Sequence, residues 1–233
     1  MSMSPGALES PASPDDIYDA RDEDVQPYRP IFTGDVFEVI GEESPGTWMV
    51  LQHPCTLRGN GVDLVDTVLV APVAPRSGLR SEMAKEKLYL FPLRDLRGVG
   101  NHEAADFASV TVVASRLLSL DHRIAVLSQE GVNLLLQRWV HHNSRVVVHT
   151  DRFNTASLAE YEEADLAAEW AEARVDAGED VASAQHSFHE WIRGPWTSEP
   201  NSDSRQIRLR VAAHQVAVRK AMRVHLKALT EAT

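Results

Sequence analysis

Between residues 31 and 113 the apolar residues arrive in short runs closed by turn residues, with only short helical signal between them. Val36-Phe37-Glu38-Val39-Ile40 is rich in β-formers. The following residues 41–46 have the composition of a hairpin loop, so the next run, Trp48-Met49-Val50-Leu51-Gln52, is predicted to lie antiparallel to the first. Asn60-Gly61 is the strongest short turn signal in the chain. Thr67-Val68-Leu69-Val70-Ala71-Pro72-Val73 reads as a strand buried on both faces or rolled into a barrel. Leu88-Tyr89-Leu90-Phe91-Pro92-Leu93 and Ser109-Val110-Thr111-Val112-Val113 complete five strands, enough for a small, strongly curved sheet.

The pattern then turns helical. Ser128 is a candidate N-cap for a helix whose apolar positions Val132, Leu135, Leu136, Trp139 and Val140 recur at helical spacing and pack one face on the sheet. Arg145-Val146-Val147-Val148 reads as an added edge strand. Residues 156–177 are Ala- and Glu-rich, with Asp165, Glu169, Glu172 and Asp176 on one face, and Gly178 is a plausible stop. A short helix is expected from His186 to Ile192, carrying Phe188 and Trp191, before a breaker stretch at 194–201. A final long helix over 203–230 carries Ile207, Val211, His214, Val218, Met222 and Leu229 on one stripe, with Arg208, Arg219, Arg223 and Lys227 on another. The acidic and basic stripes invite pairing of the two long helices; the plainer reading is two solvated faces. Residues 1–28, with almost no branched aliphatics, read as a disordered acidic tail. The expected organisation is therefore α+β: a tail at 1–28, a small β-barrel at 29–150 and a helical region at 151–233.

Charge narrows the partners. The net charge is −11, concentrated at −9 over residues 151–200, while residues 201–233 carry +5. Nucleic acid would have to meet a local basic patch, and the face formed by Arg208, Arg219, Arg223 and Lys227 is the candidate, although four cations are few. One cysteine, Cys55, makes no internal disulfide and favours a reducing cytoplasm. Neither C-x-x-C nor H-E-x-x-H spacing occurs, so no metal and no cofactor is expected. No apolar run approaches the roughly 18 to 20 residues of a membrane helix, and the polar, acidic N-terminus is unlike a signal peptide.

Over residues 31–148 the order of these pieces resembles the MazF/PemK growth-inhibitor family. Gly34-Asp35-Val36-Phe37-Glu38-Val39 looks like its opening Gly-Asp-Ile-Val strand, and Trp48-Met49-Val50-Leu51-Gln52 like its second strand. Val68-Leu69-Val70-Ala71-Pro72-Val73 is similar to its Val-Ala-Pro-Ile strand. Ser109-Val110-Thr111-Val112-Val113 and the segment from Ser115 to Arg123 resemble its strand followed by Thr-x-Asp-Lys-x-Arg; Ile124-Ala125-Val126-Leu127-Ser128 and the next helix complete the match. The resemblance implies an SH3-like barrel that usually dimerises and cuts single-stranded RNA without a metal.

The chain departs from that pattern at its chemistry. The family's basic residue belongs in the loop between the first two strands or at the start of the second, yet residues 41–47 contain no Arg, Lys or His. Its Ser/Thr after Val-Ala-Pro-Ile is Ala74 here. Replacements near at hand are His53, Arg58 and Arg76, with Cys55 and Thr56 beside them. An imidazole titrating near neutrality and an arginine suit phosphodiester cleavage, in which a base takes a 2′-hydroxyl proton and a cation steadies the phosphorane-like charge. The competing reading makes Pro54 the shaper of a strand end, Cys55 a small buried hydrophobe and Arg58 a surface residue. His141-His142 reads as a helix C-terminus and His214 and His225 as interface residues. Asp121-His122-Arg123 contains the residue types for acid-base work, but the resemblance implies a structural role there, stabilising a turn. Two functions follow: a catalytically degenerate barrel acting as an interaction or nucleic-acid-associated module, with a homodimer or partner protein docked on the C-terminal helices, or a MazF-type endoribonuclease with a rearranged site. A toxin–antitoxin pair and a phage-defence cluster are both open as settings.

Overall fold

The computed structural model describes residues 7–40, 43–58, 63–199 and 202–231; the turn expected at Asn60-Gly61, the start of the expected hairpin loop at Gly41-Glu42, Pro200-Asn201 and the first six residues lie outside them. The chain is α+β and divides into two compact units, one of residues 1–27 with 31–156 and one of 28–30 with 157–233.

The first unit is an antiparallel sheet. Its strands are β1 (Tyr18–Arg21), β2 (Val36–Val39), β3 (Gly46–Val50), β4 (Thr67–Pro75), β5 (Leu90–Leu93), β6 (Glu103–Asp106), β7 (Thr111–Ala114) and β8 (Arg123–Leu127). They follow the path β1-β8-β2-β3-β4-β6-β5, with β7 pairing the first half of β4 while β6 pairs its last residues. The path is strongly curled, but β1 and β5 at its ends do not pair, so the expected closed barrel is a half-barrel. Side chains bridge these ends: the Tyr18 hydroxyl donates to the Arg94 carbonyl and Arg21 Nη1 to the Asp95 carbonyl, each at 3.0 Å.

β2 and β3 pair as predicted, with Phe37 opposite Trp48. β4 is apolar on both faces, burying Val68, Val70, Ala71 and Val73. Phe37, Val39, Val50, Val68, Val70 and Val113 form one core cluster, and each such side chain contributes about 1.5 to 3 kcal/mol by leaving water. Gly34 precedes β2 at φ +90°, where a Cβ would stand 2.6 Å from a Leu127 methyl, so the turn has room only for glycine. Ser128 caps the helix α2 (Gln129–Ser144) by accepting from Gly131 N–H, as the sequence indicates. α2 also buries Arg138, whose guanidinium donates to the carbonyls of Leu90, Met83, Glu86 and Lys87 and which burial lowers to a pKa of about 10.

Two expectations are corrected. The segment read as a disordered tail carries a 3-10 turn at Pro14–Ile17 and then β1, which pairs β8; Ile17 is 1% exposed. Backbone pairing and one buried isoleucine hold it there despite its polar composition. Residues 145–148 form no strand: Arg145 ends α2 in the left-handed region at φ 61°, and the chain runs irregularly to the next helix.

The second unit is helical, as expected. It takes the greater part of α3 (Thr150–Asp176), then α4 (Val181–Arg193), α5 (Arg205–Leu209) and α6 (Ala212–Glu231). The predicted last helix is thus two, broken at Arg210-Val211 after Ser204 caps α5. Its core joins Trp170, Phe188 and Trp191, with ring centroids 5.6 to 6.3 Å apart, to Leu166, Leu209, Val218 and Met222.

Candidate functional site

His53, Arg58 and Arg76 are not brought together. His53 follows β3 and caps the short helix α1 (Pro54–Leu57), its Nδ1 accepting from Cys55 N–H at 3.4 Å and lying 2.9 Å from Cys55 Sγ. Cys55 is exposed rather than buried. Arg58 follows α1 and turns inward, Nη1 donating to the Ile31 carbonyl at 3.0 Å. Both sit near the first half of β4, because Leu51 N–H donates to the Leu69 carbonyl. Arg76 lies past the other end of β4. Seven residues of strand at about 3.3 Å each separate it from Leu69 by roughly 20 Å along the chain, too far for shared proton transfer.

Arg76 has neighbours that the sequence did not suggest. Its N–H donates to the His102 carbonyl at 2.9 Å, extending the β4–β6 ladder, so the two side chains share a face. Arg76 Nη2 lies 3.1 Å from Asp106 Oδ2, and His102 Nδ1 lies 3.5 Å from Asp95 Oδ1. Cation and imidazole are each matched by a carboxylate.

A second cluster centres on Arg97, in the hairpin between β5 and β6. Arg97 Nη2 donates to Thr47 Oγ1 at 2.9 Å and lies 3.3 Å from Glu38 Oε1, while its Nε lies 3.0 Å from Glu103 Oε1. Glu38 and Thr47 are opposite one another on β2 and β3, so the sheet register fixes this pair and the hairpin delivers the guanidinium to the start of β3. Sequence reasoning missed Arg97 because it is 50 residues from Thr47. The only local signal was Gly98-Val99-Gly100, whose glycines turn the hairpin at φ 97° and 87°. Chemically the cluster has a hydroxyl, a cation and two carboxylates, of which Glu103 is buried. With both carboxylates ionised its net charge is negative, which disfavours a phosphodiester.

The basic stripe of the last helices is paired in part. Arg219 lies 3.0 Å from Glu162 and 3.2 Å from Glu169, and Arg223 lies 2.5 Å from Glu169. Lys227 faces Glu231 at 3.7 Å, and the Arg208 guanidinium lies 5.3 Å from the Trp196 ring centre. The acidic and basic stripes therefore pair through Glu169, while Asp165 of the acidic stripe holds Arg29 at 3.3 Å. Beside exposed cations such as Arg210, Lys220, Arg223 and Lys227, this stretch leaves large apolar side chains in solvent: Ile207, Val211, Val216 and Val224 are 52%, 48%, 80% and 63% exposed.

Among the described residues no group of three or more His, Cys, Asp or Glu is placed to hold a metal ion, and no helix is long and apolar enough to cross a membrane. Compared with known proteins, the chain matches no family model and no curated protein sequence.

Proposed function

We propose that the half-barrel is a catalytically degenerate, SH3-like domain of the MazF/PemK type and that the protein works by association, its C-terminal helices joining a second protein chain, in the first place another copy of itself. One observation carries this reading. Of the arginines that the sequence offers to RNA, Arg58, Arg76, Arg219 and Arg223 each hold a carbonyl or carboxylate of their own chain, while Arg208 lies over the Trp196 ring. Drawing them toward a phosphate means breaking those contacts and leaving carboxylates such as Asp106 and Glu169 beside the incoming anion. Ile207 of α5, Val211 between the helices, and Val216 and Val224 of α6 are, in contrast, available for burial against a partner. Incubating the purified protein with single-stranded RNA in the absence of metal tests the claim: intact RNA is expected, and cleavage that tracks the protein through purification would contradict it.

Arg97 favours a second reading, a metal-independent endoribonuclease with a rearranged site. Its guanidinium sits at Thr47, where the resemblance looks for a basic group, with Glu38 available as a base. That reading requires Arg97→Ala to lower RNA cleavage at least ~100-fold, the scale of an electrostatic stabiliser. It places the chemistry away from His53 and Arg58, so His53→Ala and Arg58→Ala would then leave the rate intact.

A further inference from the structure

The N-terminal segment that covers the end of the half-barrel leaves a cavity of about 170 Å³ beneath it. Pro11, Pro14, Ile17, Met83 and Pro92 give it an apolar wall, and Arg94 is among the residues that line it. The volume decides the class of occupant. Nucleotide and cofactor sites are typically about 300 to 1,000 Å³, whereas an apolar cavity of about 150 Å³ is enough for a benzene ring.

The charge decides what the ring carries. In the same unit Arg21, Arg76, Arg97 and Arg116 each pair with a carboxylate, but among the described residues none pairs with Arg94. Its Nη2 donates to the Arg80 carbonyl, which leaves further N–H donors of the fork. Glu82, the one carboxylate of the lining, is matched by Lys85 at 2.6 Å and so opposes an incoming anion weakly. From these observations we infer that the cavity is a binding site for a small monocyclic carboxylate, its ring among the prolines, Ile17 and Met83 and its carboxylate on Arg94. This goes beyond the association described above and does not depend on it.

Benzoate is the probe, with benzyl alcohol as the neutral ligand of similar size, titrated into the full chain carrying methyl-labelled methionine. The Met83 methyl resonance, identified by its loss in Met83→Leu, should move saturably with benzoate, with Kd on the order of 0.1 to 1 mM for so small a ligand. Arg94→Gln should weaken benzoate ~10-fold or more while leaving benzyl alcohol nearly unchanged, as loss of one charge-assisted contact requires. Benzyl alcohol binding by that variant also shows that the cavity has kept its shape. A Met83 resonance that benzoate does not move, or equal weakening of both ligands by Arg94→Gln, overturns the assignment.

Discussion

Arg123 and Asp35 are buried side chains, 2.9 Å apart, and they decide how β2 and β8 meet. Arg123 Nη2 also donates to the Gln26 carbonyl at 2.6 Å, and Asp35 Oδ2 accepts from Phe32 N–H at 3.0 Å, while Asp35 Oδ1 has no hydrogen-bond partner among the described residues. Removing the arginine leaves a buried carboxylate with little to hold it. Arg123→Met is therefore expected to cost about 3 to 5 kcal/mol in denaturant unfolding, and a loss under 1 kcal/mol would show that the pair is dispensable. The family resemblance implied a structural turn at Asp121-His122-Arg123, but the partner 88 residues away was not legible, because nothing local pairs the two. Glu9 was hidden in the same way. It accepts from Gln137 Nε2 at 2.9 Å and from Thr150 N–H at 3.0 Å, so it ties the N-terminal segment to α2 and to the start of α3. Burial alone would raise its pKa, but the bonds from Thr150, Gln137 and His149 outweigh that and bring it below the ordinary 4.5. A carboxyl depressed on folding stabilises above its unfolded pKa, and that stability is lost as pH falls through the folded value. Wild type should thus lose stability below pH 4.5 more steeply than Glu9→Ala; parallel acid profiles would refute the role.

The legible elements were those whose local sequence matches their burial. β2, β3 and β4 are β-branched and aromatic, and α2 has a cap and a clean helical stripe, so pattern and packing agree. β1 and β6 were missed because Tyr18-Asp19-Ala20-Arg21 and Glu103-Ala104-Ala105-Asp106 lack aliphatic alternation; they are strands because neighbours offer backbone partners. The break between α5 and α6 carries neither Gly nor Pro, and it too escaped detection. The N-terminal segment has a sharp test at Gly131 in the first turn of α2. A Cβ there would stand 2.1 Å from the Ile17 carbonyl, and Ser128 N–H donates to that same oxygen at 2.9 Å. Gly131→Ala should force the segment away, cost about 1 to 3 kcal/mol and speed proteolysis before Ile17. Unchanged digestion would mean that the segment is not held as described.

In both units arginines are turned toward the chain's own carbonyls and carboxylates, and each unit leaves large apolar side chains in solvent: Ile40, Val99, Val112 and Val146 in the first, Ile207, Val211, Val216 and Val224 in the helical one. The candidate site was the least legible feature. Arg76 is near His53 and Arg58 in sequence but past the other end of β4 in the fold, whereas Arg97 is far in sequence from Thr47 and stands beside it. Charge stripes on the long helices were readable, since helical spacing alone puts Glu169 and Arg219 on faces able to meet; which arginines met which carboxylates was not. Val216 and Val224 are the direct handle on the proposed association, because both are solvent-exposed and aspartate at each should cost the monomer little. Sedimentation equilibrium on the full chain and on the Val216→Asp, Val224→Asp double variant measures it. Association through these helices gives a mass of about twice 25.8 kDa for the wild type and 25.8 kDa for the variant; a wild type of 25.8 kDa at every concentration, or a variant that assembles equally well, would contradict it.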